Sequence, residues 1–236
     1  MYLFLLTAIY WGQIAPISTH RPTQGINAVI VDRSCLQIEA GYQPILSRGE
    51  YSQEAVLQLR YGLFPKGEIL VTSGISSQPL RALPVSFAVK RELYSRSKFT
   101  LAAAGWAYLP IAQNPSGGQV WFISDLNLWK GGVLTANIVG GYFHSGGQLI
   151  LPIFLTQSFL SRWSAWVEGF MYVPASVIQA GSGRYGAGAG IQLLLGAYRL
   201  LAVDVALNWD SHGAVQTMIG LSHKASLRKR EIQGSM

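Results

Sequence analysis

Runs of about ten residues that alternate apolar and polar side chains, separated by Gly, Asn, Ser and Pro, recur along most of this 236-residue chain. In Leu201–Trp209 the pattern is cleanest. Leu201, Val203, Val205, Leu207 and Trp209 fall on one face, and Ala202, Asp204, Ala206 and Asn208 on the other. A period of two over such a length marks a strand with one apolar face. Nine to eleven residues are also what a tilted strand needs to cross the hydrocarbon core of a bilayer. The pattern therefore predicts an all-β chain: a single transmembrane, antiparallel, up-and-down β-barrel of about twelve strands.

Composition agrees with an exterior that meets lipid. Hydrophobic residues make up 50% of the chain and charged residues only 12%, against about 25% charged in ordinary soluble domains. Twenty-six glycines suit tight turns and a crowded interior, and 7 Trp with 11 Tyr suit membrane interfaces. The net charge of +7 is scattered apart from Arg228, Lys229 and Arg230. With no basic stripe interleaved with aromatics, nucleic acid is not an expected partner. Cys35 is the single cysteine, which excludes an intrachain disulfide and a cysteine-rich zinc module. The apolar run Tyr2–Trp11 has the length of a signal-peptide core but lacks a basic flank. Residues 1–25 are therefore read as a partial or unusual export segment, 26–224 as the barrel, and 225–236 as a basic tail.

The alternation predicts strands at Leu36–Gln43, Ala55–Tyr61, Glu68–Ser73, Val85–Leu93, Phe99–Leu109 and Val120–Trp129. It continues at Val133–Phe143, Gln148–Phe159, Trp163–Val173, Tyr185–Leu195, Leu201–Trp209 and Val215–Lys224. Lys130-Gly131-Gly132, Ser145-Gly146-Gly147 and Asp210-Ser211-His212-Gly213 read as short hairpin connections. Pro44–Gln53, Gly74–Ala82, Ile111–Gln119 and Pro174–Arg184 read as longer extracellular loops. A helical bundle is disfavoured. Gly131–Ser161 has no acidic or basic residue, but paired glycines and Pro152 interrupt it every few positions.

Turning each apolar face outward sends a defined polar set inward: Glu39, Arg60, Glu68, Lys90, Glu168, Asp204 and Asn208. A polar interior is expected of such a barrel. The same residues serve either a structural ion network filling a narrow lumen or a surface that selects the solute. Gly186, Gly188 and Gly190 alternate with Ala187 and Ala189, which points to close approach of a neighbouring element or to a bend in the wall. Tyr61, Tyr108, Trp121, Trp129, Tyr142, Trp163, Tyr172 and Trp209 lie near predicted strand ends, as aromatic girdles would.

Other chemistry is absent or misleading. Gly181, Gly183 and Gly186 match a dinucleotide-binding spacing, but a strand-like run follows where a helix is required. His20, His144, His212 and His223 have no metal-ligand spacing, and no nucleophile motif occurs. No enzyme activity, cofactor or metal is expected.

Several motifs occur in the order seen in one barrel family. His20-Arg21-Pro22-Thr23 precedes Leu36-Gln37-Ile38-Glu39-Ala40-Gly41-Tyr42. Then come Leu59-Arg60-Tyr61-Gly62-Leu63, Glu68-Ile69, Trp166-Val167-Glu168, Val203-Asp204 with Leu207-Asn208, and Ile219-Gly220-Leu221-Ser222. The series resembles the outer-membrane barrels named for transport in the MetA-pathway of phenol degradation. Two departures are His20, where the family carries an aspartate, and a chain that continues past its last strand. The resemblance implies a passive bacterial outer-membrane channel for small, often hydrophobic or aromatic compounds. Its implied partners are the lipid bilayer, a small-molecule solute and the barrel-assembly machinery. A structural or adhesive barrel with a sealed lumen is the alternative.

Overall fold

A computed structural model describes residues 17–19, 25–78, 80–109, 116–143, 146–174 and 183–227. The described residues form thirteen strands: β1 (Cys35–Ser47), β2 (Glu50–Phe64), β3 (Gly67–Ser77), β4 (Leu80–Ala82), β5 (Val85–Arg96), β6 (Phe99–Leu109), β7 (Gly117–Trp129), β8 (Gly132–Phe143), β9 (Gly146–Phe159), β10 (Trp163–Pro174), β11 (Arg184–Leu195), β12 (Leu201–Asp210) and β13 (Val215–Ser226). Twelve of them form one closed antiparallel barrel, in which each strand pairs with its neighbours and β1 closes on β13. The short β4 pairs only with β3 at one rim. Closure removes the unpaired edges that an open sheet would leave in lipid.

The twelve predicted strands all exist, and most extend by one to four residues at an end. Two expected loops are strand instead: Pro44–Gln53 is strand on both sides of the two-residue turn Arg48-Gly49, and Gly74–Ala82 contains the end of β3 and the short β4. Arg48 and Gly49 both have positive φ, 51° and 83°. That is the mirror-image turn whose twist matches a hairpin. Arg-Gly is an uncommon sequence for it, so the polar run looked like a loop.

The rim that carries the start of β1 and the end of β13 has only short connections, at 65–66, 97–98, 130–131, 160–162 and 196–200. The opposite rim carries the Arg48-Gly49 and 211–214 turns and the connection from β3 to β5, while the expected loops Ile111–Gln119 and Pro174–Arg184 lie largely outside the described residues. In outer-membrane barrels the short turns face the periplasm and the long loops the outside. The Asp210 connection is an Asx-type turn, with Oδ1 accepting from His212 N at 2.8 Å and Ala214 N at 3.2 Å.

Parity sorts the wall. Leu57, Leu59, Val89, Val120, Phe122, Ile138, Val167, Leu207 and Ile219 are exposed on the outside. Such a continuous apolar surface is not tolerated in water and forms the lipid belt. Trp129, Tyr142 and Trp209 are exposed on the outside, as girdle residues should be. Tyr108, Trp121 and Tyr172 are not girdle residues. They sit at inward positions, where Tyr108 Oη and Tyr172 Oη donate to Gln119 and Gln148. Their place in the alternation, not their nearness to a strand end, decides which way they point.

The glycines of β11 face inward and make room for β10. Trp166, Glu168 and Phe170 lie opposite Gly190, Gly188 and Gly186 in the strand register. A Cβ at Gly190 would sit 2.2 Å from the Trp166 ring, and one at Gly186 would sit 2.3 Å from the Phe170 ring. Of the two explanations offered by sequence, close approach of a neighbour is the one realised here.

Candidate functional site: an occupied lumen

The inside of the barrel is not empty. The wall begins at Cys35, and the described residues before it, 17–19 and 25–34, lie within the lumen. Ile17, Ile26, Ala28 and Val31 are buried there although they belong to no strand. The described pieces 17–19 and 25–34 are tied at the periplasmic rim. Ile17 N donates to Arg199 O in the β11–β12 turn at 3.1 Å. At the other end Ser34 N donates to Gly62 O at 2.8 Å, and Lys224 Nζ meets Asp32 Oδ2 at 2.8 Å. Gly62 is required here, because a Cβ would lie 2.1 Å from Asp32 O.

Between these tethers the backbone of residues 26–31 is held by lumenal side chains. Asn137 is used twice: its Oδ1 accepts from Ile26 N at 2.8 Å and its Nδ2 donates to Ile26 O at 3.0 Å. Asp125 Oδ2 accepts from Ala28 N at 2.9 Å, while its Oδ1 accepts from Thr135 Oγ1 at 2.7 Å. Lys90 Nζ donates to Asn27 O at 2.6 Å and Val29 O at 2.7 Å. Glu68 Oε2 accepts from Val31 N at 2.9 Å. Arg60 donates to Val29 O at 3.2 Å and to Ser18 O at 2.7 Å. A buried backbone must find such partners or lose several kcal/mol.

The holding groups also pair with one another. Arg60 meets Glu39 at 3.2 Å and Glu68 at 2.8 Å, and Lys90 meets Glu68 at 3.5 Å, with all four side chains fully buried. Strand register brings them together, since Glu68 lies opposite Lys90, and Gln37, which bonds Glu39, lies opposite Arg60. Hydrogen bonds to charged groups contribute about 1.5–3 kcal/mol each, so this cluster grips the segment firmly.

All seven inward residues expected from sequence point into the lumen, but they do not form one site. Glu39, Arg60, Glu68 and Lys90 make the cluster against the segment. Glu168 and Asn208 form a second group across Gly188, where the Asn208 amide donates to Glu168 Oε1 at 3.0 Å. Asp204 is buried on β12 opposite Gln192. Sequence reasoning passed over Asp125, Asn137 and Lys224. Period two does place Asp125 on one face with Gln119, Trp121 and Ile123. Two apolar residues on that inward face masked the signal. They are apolar because they pack on the segment: Ile26 and Ala28 form one cluster with Ala102, Ala104, Trp121, Ile123 and Val139.

Where the segment meets β8 and β9, the wall itself is unusual. The ladder pairs Ala136 with Ile153 and Val139 with Ile150, skipping two pairs at Pro152. Proline has no donor to offer a central strand. At this level Gly25 passes so close that a Cβ would lie 2.7 Å from Asn137 Oδ1 and 3.0 Å from Pro152.

The segment divides the space. On its outer side, a cavity of about 250 Å³ is lined by Val56, Gln58, Thr72, Trp106 and Tyr108 and ends on Ile26. On its periplasmic side, a cavity of about 350 Å³ is lined by Ala28–Arg33, Lys66, Glu92 and Asp125. Aromatic side chains gather on the β6–β10 half, and the ion cluster on the half built by β1, β2, β3 and β5. Among the described residues no group of three or more His, Cys, Asp or Glu has metal-binding geometry.

No protein-family model and no curated protein sequence matches the chain. Solved structures do. The chain is similar to the NanC porin (TM-score 0.64, 10% identity, covering 80% of this chain and 98% of that one). It is similar to an outer-membrane channel from Pseudomonas putida F1 (TM-score 0.63, 8% identity, 86% and 99%). It is also similar to the CymD monoaromatic hydrocarbon channel (TM-score 0.53, 8% identity, 94% and 100%). At these identities the likeness is one of fold. The fold is that of an outer-membrane β-barrel, and the apolar belt is the surface that location requires.

Proposed function

We propose that this protein is a passive, porin-like channel of the bacterial outer membrane for small solutes, held closed by the segment that precedes its first strand. One observation carries the reading. The middle of the lumen is occupied by a loop of backbone hydrogen-bonded to polar side chains of the wall. Residues 26–31 can leave without unpicking the barrel, because their bonds go to side chains inside the wall, and the ladder-type bridge at Arg33–Gly62 lies only at the segment's end. The polar residues exposed by their departure would line a water-accessible path, and rings of such residues set selectivity in pores. Glu39, Arg60, Glu68 and Lys90 then have two roles, clamping the closed state and lining the open one. Glu168, Asp204 and Asn208 line the opposite arc.

The solute class we favour is small compounds with an apolar or aromatic body. Trp106, Tyr108, Trp121, Phe154, Trp166 and Phe170 all face inward, and one structure with this fold is a monoaromatic hydrocarbon channel. The reading assigns no reaction to the barrel. Its partners are the bilayer, the solute and, for insertion, the barrel-assembly machinery. A sealed structural barrel is the second reading, favoured by the density of bonds holding the segment. Liposome flux decides between them: a channel passes small solutes once the segment is weakened, and a sealed barrel does not.

A further inference from the structure

The closed lumen shows what the wall is built to recognise. Six backbone groups of residues 26–31 are read by five side chains: three N–H groups by Asn137, Asp125 and Glu68, and three carbonyls by Asn137, Lys90 and Arg60. Donors and acceptors of the wall therefore match an amide chain of both polarities. They do not match a single charge, because Arg60 and Lys90 are already balanced by Glu39 and Glu68. Side chains are read at alternate positions. Ile26 and Ala28 enter the apolar cluster with Ala102, Ile123 and Val139, while Val29 points away and is 47% exposed. The backbone bends at Ala28, where Val29 N donates to Asn27 Oδ1 at 3.2 Å, so the wall reads a bent backbone through its side chains and not an added strand.

From this geometry we infer that the lumenal face of β2, β3 and β5–β8 is a binding site for a bent amide backbone. The protein's own segment occupies it, and short uncharged peptides with small or branched apolar side chains at alternate positions can take its place. This adds a second solute class, beside compounds with an apolar or aromatic body, and rests on the reading that the lumen is the solute path.

The test uses the full chain carrying Ala28→Asp. This change drives the segment out through a buried charge beside Asp125 and leaves every wall residue intact. The probe is a capped peptide of the sequence Ile-Asn-Ala-Val-Ile, with a second version N-methylated at its alanine. Two signals are read: block of conductance in planar bilayers, and tryptophan emission, since Trp106 and Trp121 pack against the site. The inference expects saturable block and a saturable emission change in the variant. It expects binding at least tenfold weaker for the N-methylated peptide, and at least tenfold weaker in the wild type, where the segment competes. Absence of a saturable emission change, or equal binding of the two peptides, overturns it. Saturable binding without any conductance would uphold this inference and remove the channel reading instead. Gly25→Val displaces the segment through a different contact and repeats the test should Ala28→Asp not fold.

Discussion

Asn137→Ala is the most informative single perturbation of the closed state. Asn137 makes no ion pair, and its side chain spends both polar atoms on Ile26, at 2.8 Å and 3.0 Å. It also sits where the β8–β9 ladder already skips two pairs beside Pro152, so the substitution removes nothing from the wall. Each neutral hydrogen bond lost costs about 0.5–1.5 kcal/mol, and an orphaned buried partner about 1–3 kcal/mol. Water reaching Ile26 from the outer cavity softens the second term. The closed state should therefore lose about 2–4 kcal/mol. At about 1.4 kcal/mol per factor of ten, the ratio of open to closed channels should rise about 30- to 700-fold. Open probability in single-channel recordings reads this directly, and the boiling-dependent gel shift checks that the barrel is intact. The change should be non-additive with Gly25→Val, because both act on one contact. An open probability within threefold of wild type in an intact barrel would refute the clamp.

Three further outcomes follow from the geometry. Arg60→Leu removes the guanidinium that meets Glu39 at 3.2 Å and Glu68 at 2.8 Å; breaking a buried pair this way costs about 3–5 kcal/mol, visible as a lower urea midpoint. Gly190→Val places a side chain where a Cβ already lies 2.2 Å from the Trp166 ring and 2.6 Å from Val205 O; overpacking of about 1–3 kcal/mol should appear in the same assay, whereas the outward Gly105→Ala, with open space around it, should be neutral. In a channel opened by Asn137→Ala, Glu168→Gln keeps a hydrogen-bond acceptor for Asn208 but removes a lumenal charge, so the reversal potential under a salt gradient should move toward lower cation preference.

The wall was legible in the sequence because lipid outside and polar groups inside impose a strict period of two. That periodicity located all twelve strands and turned Glu39, Arg60, Glu68, Lys90, Glu168, Asp204 and Asn208 inward. It failed where the inside is not simply polar. Trp121 and Ile123 face inward because they receive Ile26 and Ala28, which blurred the alternation around Asp125. The occluding segment has no strand pattern of its own, since its backbone is satisfied by side chains distant in sequence, up to 111 residues away for Ile26 and Asn137. Nothing local encodes such a partnership. The Arg48-Gly49 turn shows the same limit on a smaller scale, with a geometry usually signalled by Asn-Gly or Asp-Gly.

The central claim is that this is a channel closed by the residues preceding β1. Single-channel recording of the wild type beside Ala28→Asp tests it most directly. Ala28 is fully buried against the wall, and an aspartate there cannot stay without a counter-charge. The account predicts a closed or rarely opening wild type and a variant with sustained, much larger conductance. Equal conductance from two intact barrels would contradict it.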